Sequence, residues 1–170
     1  MPHHTDADIR VRLFDALRKS DFGMLGLIDS DQQFPQPMTT FLEEGEETLW
    51  FYTREDTDLA RAVANGEAGG LYVFVDKKQE VFASIVGQLT LTRDTDRIRR
   101  FWNPVVAAWY PEGRDDPKLT LLRFDPSDAQ VWVSSAGPAK FAWEIAKANA
   151  TRTEPDIGDQ ADLKLGAVAS

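Results

Sequence analysis

The sequence predicts a mainly β domain of the α+β class: an antiparallel barrel, closed or nearly closed, with peripheral helices. Three observations carry that expectation. Six or seven segments of high β propensity follow one another, most joined by short turns. Helical periodicity is confined to the ends of the chain and to two crossings. No strand–helix alternation runs through the chain, which argues against a doubly wound parallel sheet. With 170 residues, 42% of them apolar and 28% charged, the chain can bury one real core and is too apolar for disorder.

The elements follow in order. Thr5 to about Ser20 reads as a helix, because Thr5 and Asp8 form a capping-box-like start and Ile9, Leu13, Ala16 and Leu17 share one face. Phe22–Asp29 reads as a strand weakened by two glycines, and Asp29-Ser30-Asp31 as a turn. In Gln33–Glu43, Pro35 and Pro37 forbid helix and imply an edge strand. Glu43–Glu47 reads as a solvated hairpin turn around Gly45. Thr48–Thr53 is a strand, and Asp58 to about Asn65 a short helix with Leu59, Ala62 and Val63 inward, ended by Asn65-Gly66.

Gly69–Asp76 and Glu80–Arg93 form a hairpin. Gly87, inside its second strand, marks a bulge or a close backbone approach. Thr95 to about Trp109 is helical and broken at Asn103-Pro104. Trp102 and Trp109, seven apart, are expected on one helix face. Tyr110–Lys118 is a loop. Leu119–Ser135 reads as two strand pieces around a turn at Asp125-Pro126-Ser127-Asp128. Pro138 opens a last helix whose stripe is Phe141, Ile145 and Ala148. The expected organisation is a single domain: helix 5–20, barrel 22–135, helix 138–149, and a surface tail 150–170.

Composition excludes several function classes. Net charge is −9, and the nearest basic run, Arg93, Arg97, Arg99 and Arg100, is interrupted by Asp94 and Asp96. Nucleic acid and anionic membrane surfaces are therefore not expected partners. No apolar run is long enough to span a bilayer, and the N-terminus has no apolar signal core, so the expected compartment is the cytoplasm. Cys is absent, and both histidines, His3 and His4, lie in what reads as a frayed end. Cys–His and Ser–His–Asp catalysis and cysteine-ligated metals are thus excluded, leaving acid–base work to Asp, Glu, Lys or Tyr. No dinucleotide fingerprint, Walker loop or G-x-S-x-G elbow occurs. Aromatic residues stand out instead: Trp50, Phe51, Tyr52, Trp102, Trp109, Tyr110, Trp132 and Trp143 suit core packing or a stacking site for a flat cofactor. The stretch Phe101–Gly113, FWNPVVAAWYPEG, suggests a partner surface or a ligand lid.

The strand–turn–helix 48–63, TLWFYTREDTDLARAV, has a layout that suits an anion at a helix start, yet its turn is mostly acidic. Together with PQPMTT (35–40), LWFYT (49–53), SIVG (84–87), FWNPVVAAWYPEG and DDPKLTLLRFDPSDAQVWVSS, it resembles the general stress protein branch of the pyridoxamine phosphate oxidase-like, FMN-binding split-barrel family. The resemblance implies a six-stranded antiparallel split β-barrel forming a homodimer, with FMN in a groove at the subunit interface. It implies cofactor-binding roles for Gln36, Pro37, Met38 and Thr39 along the flavin. Tyr52, Thr53, Arg54, Thr57 and Leu59 fall in the segment that holds the phosphate, with Thr53 and Thr57 as donors. Trp102 and Trp109 fall near the flavin or across the dimer.

Two departures matter. Gln36 stands where the family commonly has Arg, and Leu59 where it commonly has a phosphate-reaching Lys. Charge-assisted contacts are worth about 1.5–3 kcal/mol each. Arg54 and Arg61 are the nearby substitutes, with Arg54 the better placed. The resemblance therefore implies an FMN-binding protein, with a flavin-dependent oxidoreductase activity on a small molecule as its finer reading. The alternative is a split-barrel dimer that has lost FMN and binds another planar ligand. Oxidation of pyridoxamine phosphate carries little weight, because the C-terminal region supplies few basic residues for a second phosphate.

Overall fold

Thr5 starts the first helix as its capping chemistry dictates. In the computed structural model, which describes residues 4–20, 22–31, 34–66, 68–134 and 136–166, the Asp8 amide donates to the Thr5 hydroxyl at 3.2 Å. The Asp8 carboxylate accepts the Thr5 amide at 3.0 Å. The helix that follows, α1 (Asp6–Arg18), buries Ile9, Leu13, Phe14 and Leu17 against the sheet. His4 is not frayed. Its amide donates to Asp159 at 3.1 Å, and its ring meets Arg12 at 2.7 Å. His3, Gln33, Ser135 and residues 167–170 lie outside the described residues.

Seven strands form one antiparallel sheet: β1 (Gly23–Leu27), β2 (Gln36–Met38), β3 (Leu49–Arg54), β4 (Gly69–Val75), β5 (Val81–Thr92), β6 (Leu119–Ser134) and β7 (Gly158–Lys164). Six follow the order β2-β1-β4-β5-β6-β3, and β7 pairs with β6 off that path. The two ends of the path meet only at an isolated bridge between Phe41 and Trp50. That incomplete closure is the split of the barrel. Pro35 and Pro37 explain the short edge strand, since β2 pairs only with β1.

β6 corrects two expectations. It is one continuous strand, not two pieces around a turn. Its register against β5 shifts by one residue opposite Val86 and Gly87, so Ser127 bulges while the strand runs on. A Cβ on Gly87 would lie 2.4 Å from the Asp125 carbonyl, so this crossing admits only glycine without a shift. Pro126 is tolerated because, on the edge of β6 away from β5, pairing with β3 stops at Phe124 and pairing with β7 starts at Asp128, leaving Pro126 no ladder partner on that edge. The second correction is the tail. Residues 158–164 are not a surface tail but β7, and Ala161, Leu163 and Leu165 enter the main core.

Four further helices decorate the sheet: α2 (Asp58–Ala64), α3 (Thr95–Phe101), α4 (Pro104–Trp109) and α5 (Pro138–Thr151). Asn103 separates α3 from α4 and caps α4, its side chain accepting from Val105 and Val106 at 2.9 and 3.0 Å. Two apolar clusters result. The larger fills the barrel beneath α1. The smaller joins Trp50, Ile98, Val106, Tyr110, Leu119 and Leu121 under α3 and α4. The 43–47 turn is not merely solvated. Glu43 and Glu46 hold Arg97 at 3.1 and 3.0 Å, and Arg97 lies 4.3 Å over the Trp50 ring. The expected apolar stripe of the last helix is not buried: Phe141 and Ile145 are exposed, and Glu144 is the one buried residue described on α5.

Candidate functional site

Local chemistry builds the turn after β3. Thr57 is the N-cap of α2, its hydroxyl accepting from the Ala60 amide at 3.2 Å and donating to the Arg54 carbonyl at 3.0 Å. The buried Thr53 hydroxyl stands 3.1 Å from it. Thr53 faces Thr120 across the β3–β6 ladder, and Thr120 donates to the Thr92 carbonyl at 3.1 Å. Two hydroxyls thus meet at the point where the sequence places a pair of donors.

Arg54 is engaged at once by two carboxylates. Its Nε donates to Asp56 at 3.2 Å and its Nη1 to Asp116 at 2.9 Å. Asp116 is 2% exposed and also accepts the Lys118 amide at 2.8 Å, while the Lys118 ammonium reaches Asp56 at 3.1 Å. These two cations and two carboxylates balance one another, while Glu55 and Asp58 keep the turn as a whole acidic. The bond to Asp56 holds the Arg54 guanidinium above its ordinary range, and Arg54, with Lys118 after it, holds the Asp56 carboxyl below its own. No hydrogen bond from Arg54 Nη2 to a described residue is recorded.

The other expected positions divide into two groups. Gln36 and Met38 are half-buried on β2, while Pro37 and Thr39 are exposed. Tyr72 pins this segment: its hydroxyl donates to the Met38 carbonyl at 3.3 Å and accepts from Thr40, and burial pushes its phenol up to about 12. Tyr52 and Trp102 pack edge-on at 6.0 Å, both beside Tyr110. The Tyr52 hydroxyl donates to the Ile98 carbonyl at 2.6 Å, and burial raises its pKa well above the usual phenol range. Trp109 does not share a face with Trp102. Trp102 caps the end of α3 in extended backbone, while Trp109 ends α4 and is 77% exposed. Leu59 is 1% exposed inside the main core, so its side chain is structural.

Beside the turn lies a cleft of about 600 Å³, lined by Glu55, Arg61, Asn65, Thr92, Arg93 and Thr120 among others. Arg93 donates to the carbonyls of Pro117 and Asp116 at 2.6 and 2.8 Å and pairs with no described carboxylate. The sequence reading missed Asp116, Lys118 and Arg93 as neighbours of the turn. No local signal marks them: Asp116 and Lys118 reach the turn across 62 residues from the loop before β6, and Arg93, just past β5, joins through the Asp116 carbonyl. No described helix is long and apolar enough to cross a membrane.

Comparison with known proteins agrees with this architecture. The family model described as pyridoxamine 5'-phosphate oxidase like matches residues 8–156. A general stress protein 26 from Jannaschia sp. CCS1 is similar at 33% identity, covering 94% of this chain and 99% of its own, with a TM-score of 0.81. The general stress FMN/FAD binding protein of Xanthomonas citri is 34% identical over 77% of this chain and 92% of its own, with a TM-score of 0.69. An FMN binding protein from Nostoc punctiforme shares the fold at 13% identity, covering 95% of this chain and 99% of its own, with a TM-score of 0.54. A search of curated proteins found no significant match. The chain belongs to the pyridoxamine 5'-phosphate oxidase-like family, among its general stress proteins.

Proposed function

We propose that this protein binds FMN as a cytoplasmic homodimer and presents it for flavin-dependent oxidation or reduction of a small molecule. The observation that carries the reading is the turn 53–57, where two hydroxyls stand 3.1 Å apart in the segment that also carries the Arg54 guanidinium. With the Thr57 hydroxyl turned from the Arg54 carbonyl toward the ligand, this set fits a phosphate, whose oxygens accept hydrogen bonds. Thr53, Thr57 and Arg54 hold the phosphate, and Gln36–Thr39 line the ring. Tyr52, Trp102 and Trp109 supply apolar walls, and Leu59 backs the turn from the core. Flavin, when bound, supplies the electron chemistry. The chain's own residues bind, orient and exclude water.

The acidic turn gives this binding a particular character. Arg54 is already neutralised by its carboxylates, so phosphate is held by hydrogen bonds without net attraction and adds little affinity. FMN is expected to bind no more than about thirtyfold tighter than riboflavin, equivalent to about 2 kcal/mol. Arg54→Gln is expected to shrink that ratio while leaving riboflavin binding unchanged. Absorbance titration of the purified protein with both flavins measures it. Absence of any FMN binding at high micromolar concentration would sink the flavin reading. The two carboxylates on Arg54 favour a second reading, a dimer that has lost FMN and binds another planar ligand. A rise in melting temperature with riboflavin or a deazaflavin but not with FMN supports that one.

A further inference from the structure

The helix α5 is built to be buried, and its own chain does not bury it. Around its axis, Phe141, Ile145 and Ala148 occupy one side and Ala139, Trp143, Ala146 and Ala150 the other. The polar residues are the strip Lys140, Glu144, Lys147 and Thr151, with Asn149 alone between the two apolar sides. A helix apolar on most of its circumference normally lies inside a protein. Yet Phe141 is 48%, Trp143 67% and Ile145 36% exposed. The recorded tie from α5 to the rest of the chain is polar: the Glu144 carboxylate accepts the Asp156 amide at 3.3 Å.

A second apolar feature lies near the same end of the sheet. Val75 pairs directly with Phe82, and Phe82 with Trp132, so three adjacent strands present one apolar row on one face. All three are exposed, and Met24 and Val73, a directly opposed pair on β1 and β4, extend the row. Ser134, two residues beyond Trp132, ends the strand from which the chain leaves for α5.

The exposed area indicates the occupant. A folded monomer of 19.1 kDa exposes about 8,400 Å². This chain exposes 10411 Å², an excess of about 2,000 Å². Two protomers hiding that excess against each other would bury about 4,000 Å² in all, within the range of obligate homodimers.

We infer that α5 is an intermolecular arm, docking through Phe141 and Ile145 on the Val75–Phe82–Trp132 row of a second copy of this chain. The inference rests on the homodimer reading above and adds the surface that makes it. Two-fold symmetry closes the contact, because each copy offers one arm and one row.

Sedimentation equilibrium of the full chain tests it. The natural protein should be dimeric at micromolar concentration. Phe141→Asp with Ile145→Asp should raise the dissociation constant at least a hundredfold, and Phe82→Glu should do the same from the other surface. A cysteine-free chain allows a test that survives poor folding of those variants. Ile145→Cys and Phe82→Cys, mixed and oxidised, should give a disulfide-linked heterodimer, while neither alone should cross-link efficiently. A monomeric natural protein overturns both the dimer and the arm. A dimer that persists in all three charged substitutions and does not form the mixed disulfide overturns the arm alone.

Discussion

The first and last helices make an instructive pair. Both are amphipathic and of similar length, 13 and 14 residues. α1 carries a capping box and inserts Ile9, Leu13, Phe14 and Leu17 among the strands. α5 has no side-chain cap at Gly137 and buries one carboxylate. The apolar pattern states that a helix has a face to hide, but not against what. For α1 the answer is its own sheet, and for α5 the answer we infer is a second copy.

Leu13→Ala should break the α1 side of this contrast most severely. Leu13 is 0% exposed, so the truncation leaves a cavity costing about 2–5 kcal/mol, read as a lower denaturant midpoint at every protein concentration. Phe141→Ala should behave differently, moving the midpoint only where protein concentration controls dimerisation. Smaller is the loss of the α1 cap. Thr5→Ala removes the hydroxyl that accepts the Asp8 amide and should cost about 1 kcal/mol in the same measurement. Smallest is a gain on the α5 side. Gly137 has an extended backbone with nothing near an added Cβ, so Gly137→Ser should stabilise by a few tenths of a kcal/mol, visible as a slightly higher midpoint.

What was legible in the sequence follows the range of the forces involved. Caps and turns are local, and Thr5–Asp8, Thr57 and Asn103-Pro104 act where their residue types place them. The central strands are legible from dense β-branched and aromatic runs. β7 is not, because GDQADLK carries two apolar residues and owes its strand state to the open edge of β6. The continuity of β6 through Pro126 was hidden for a related reason: whether proline breaks a strand depends on which neighbour lacks a partner there. In the candidate site, the Thr53–Thr57 pair follows from one short stretch. The neutralisation of Arg54 does not, because Asp116 reaches it from 62 residues away.

One edge of β6 is shared in series, first by β3 and then by β7. This ordering has a consequence during synthesis. Residues 128–134 are made before their partner, so a nascent chain halted before Gly158 carries an unpaired edge next to Trp132. Such an edge is a template for strand addition by another chain. Completion of β7 therefore closes that edge: the strand made after α5 covers the place on which such addition would begin.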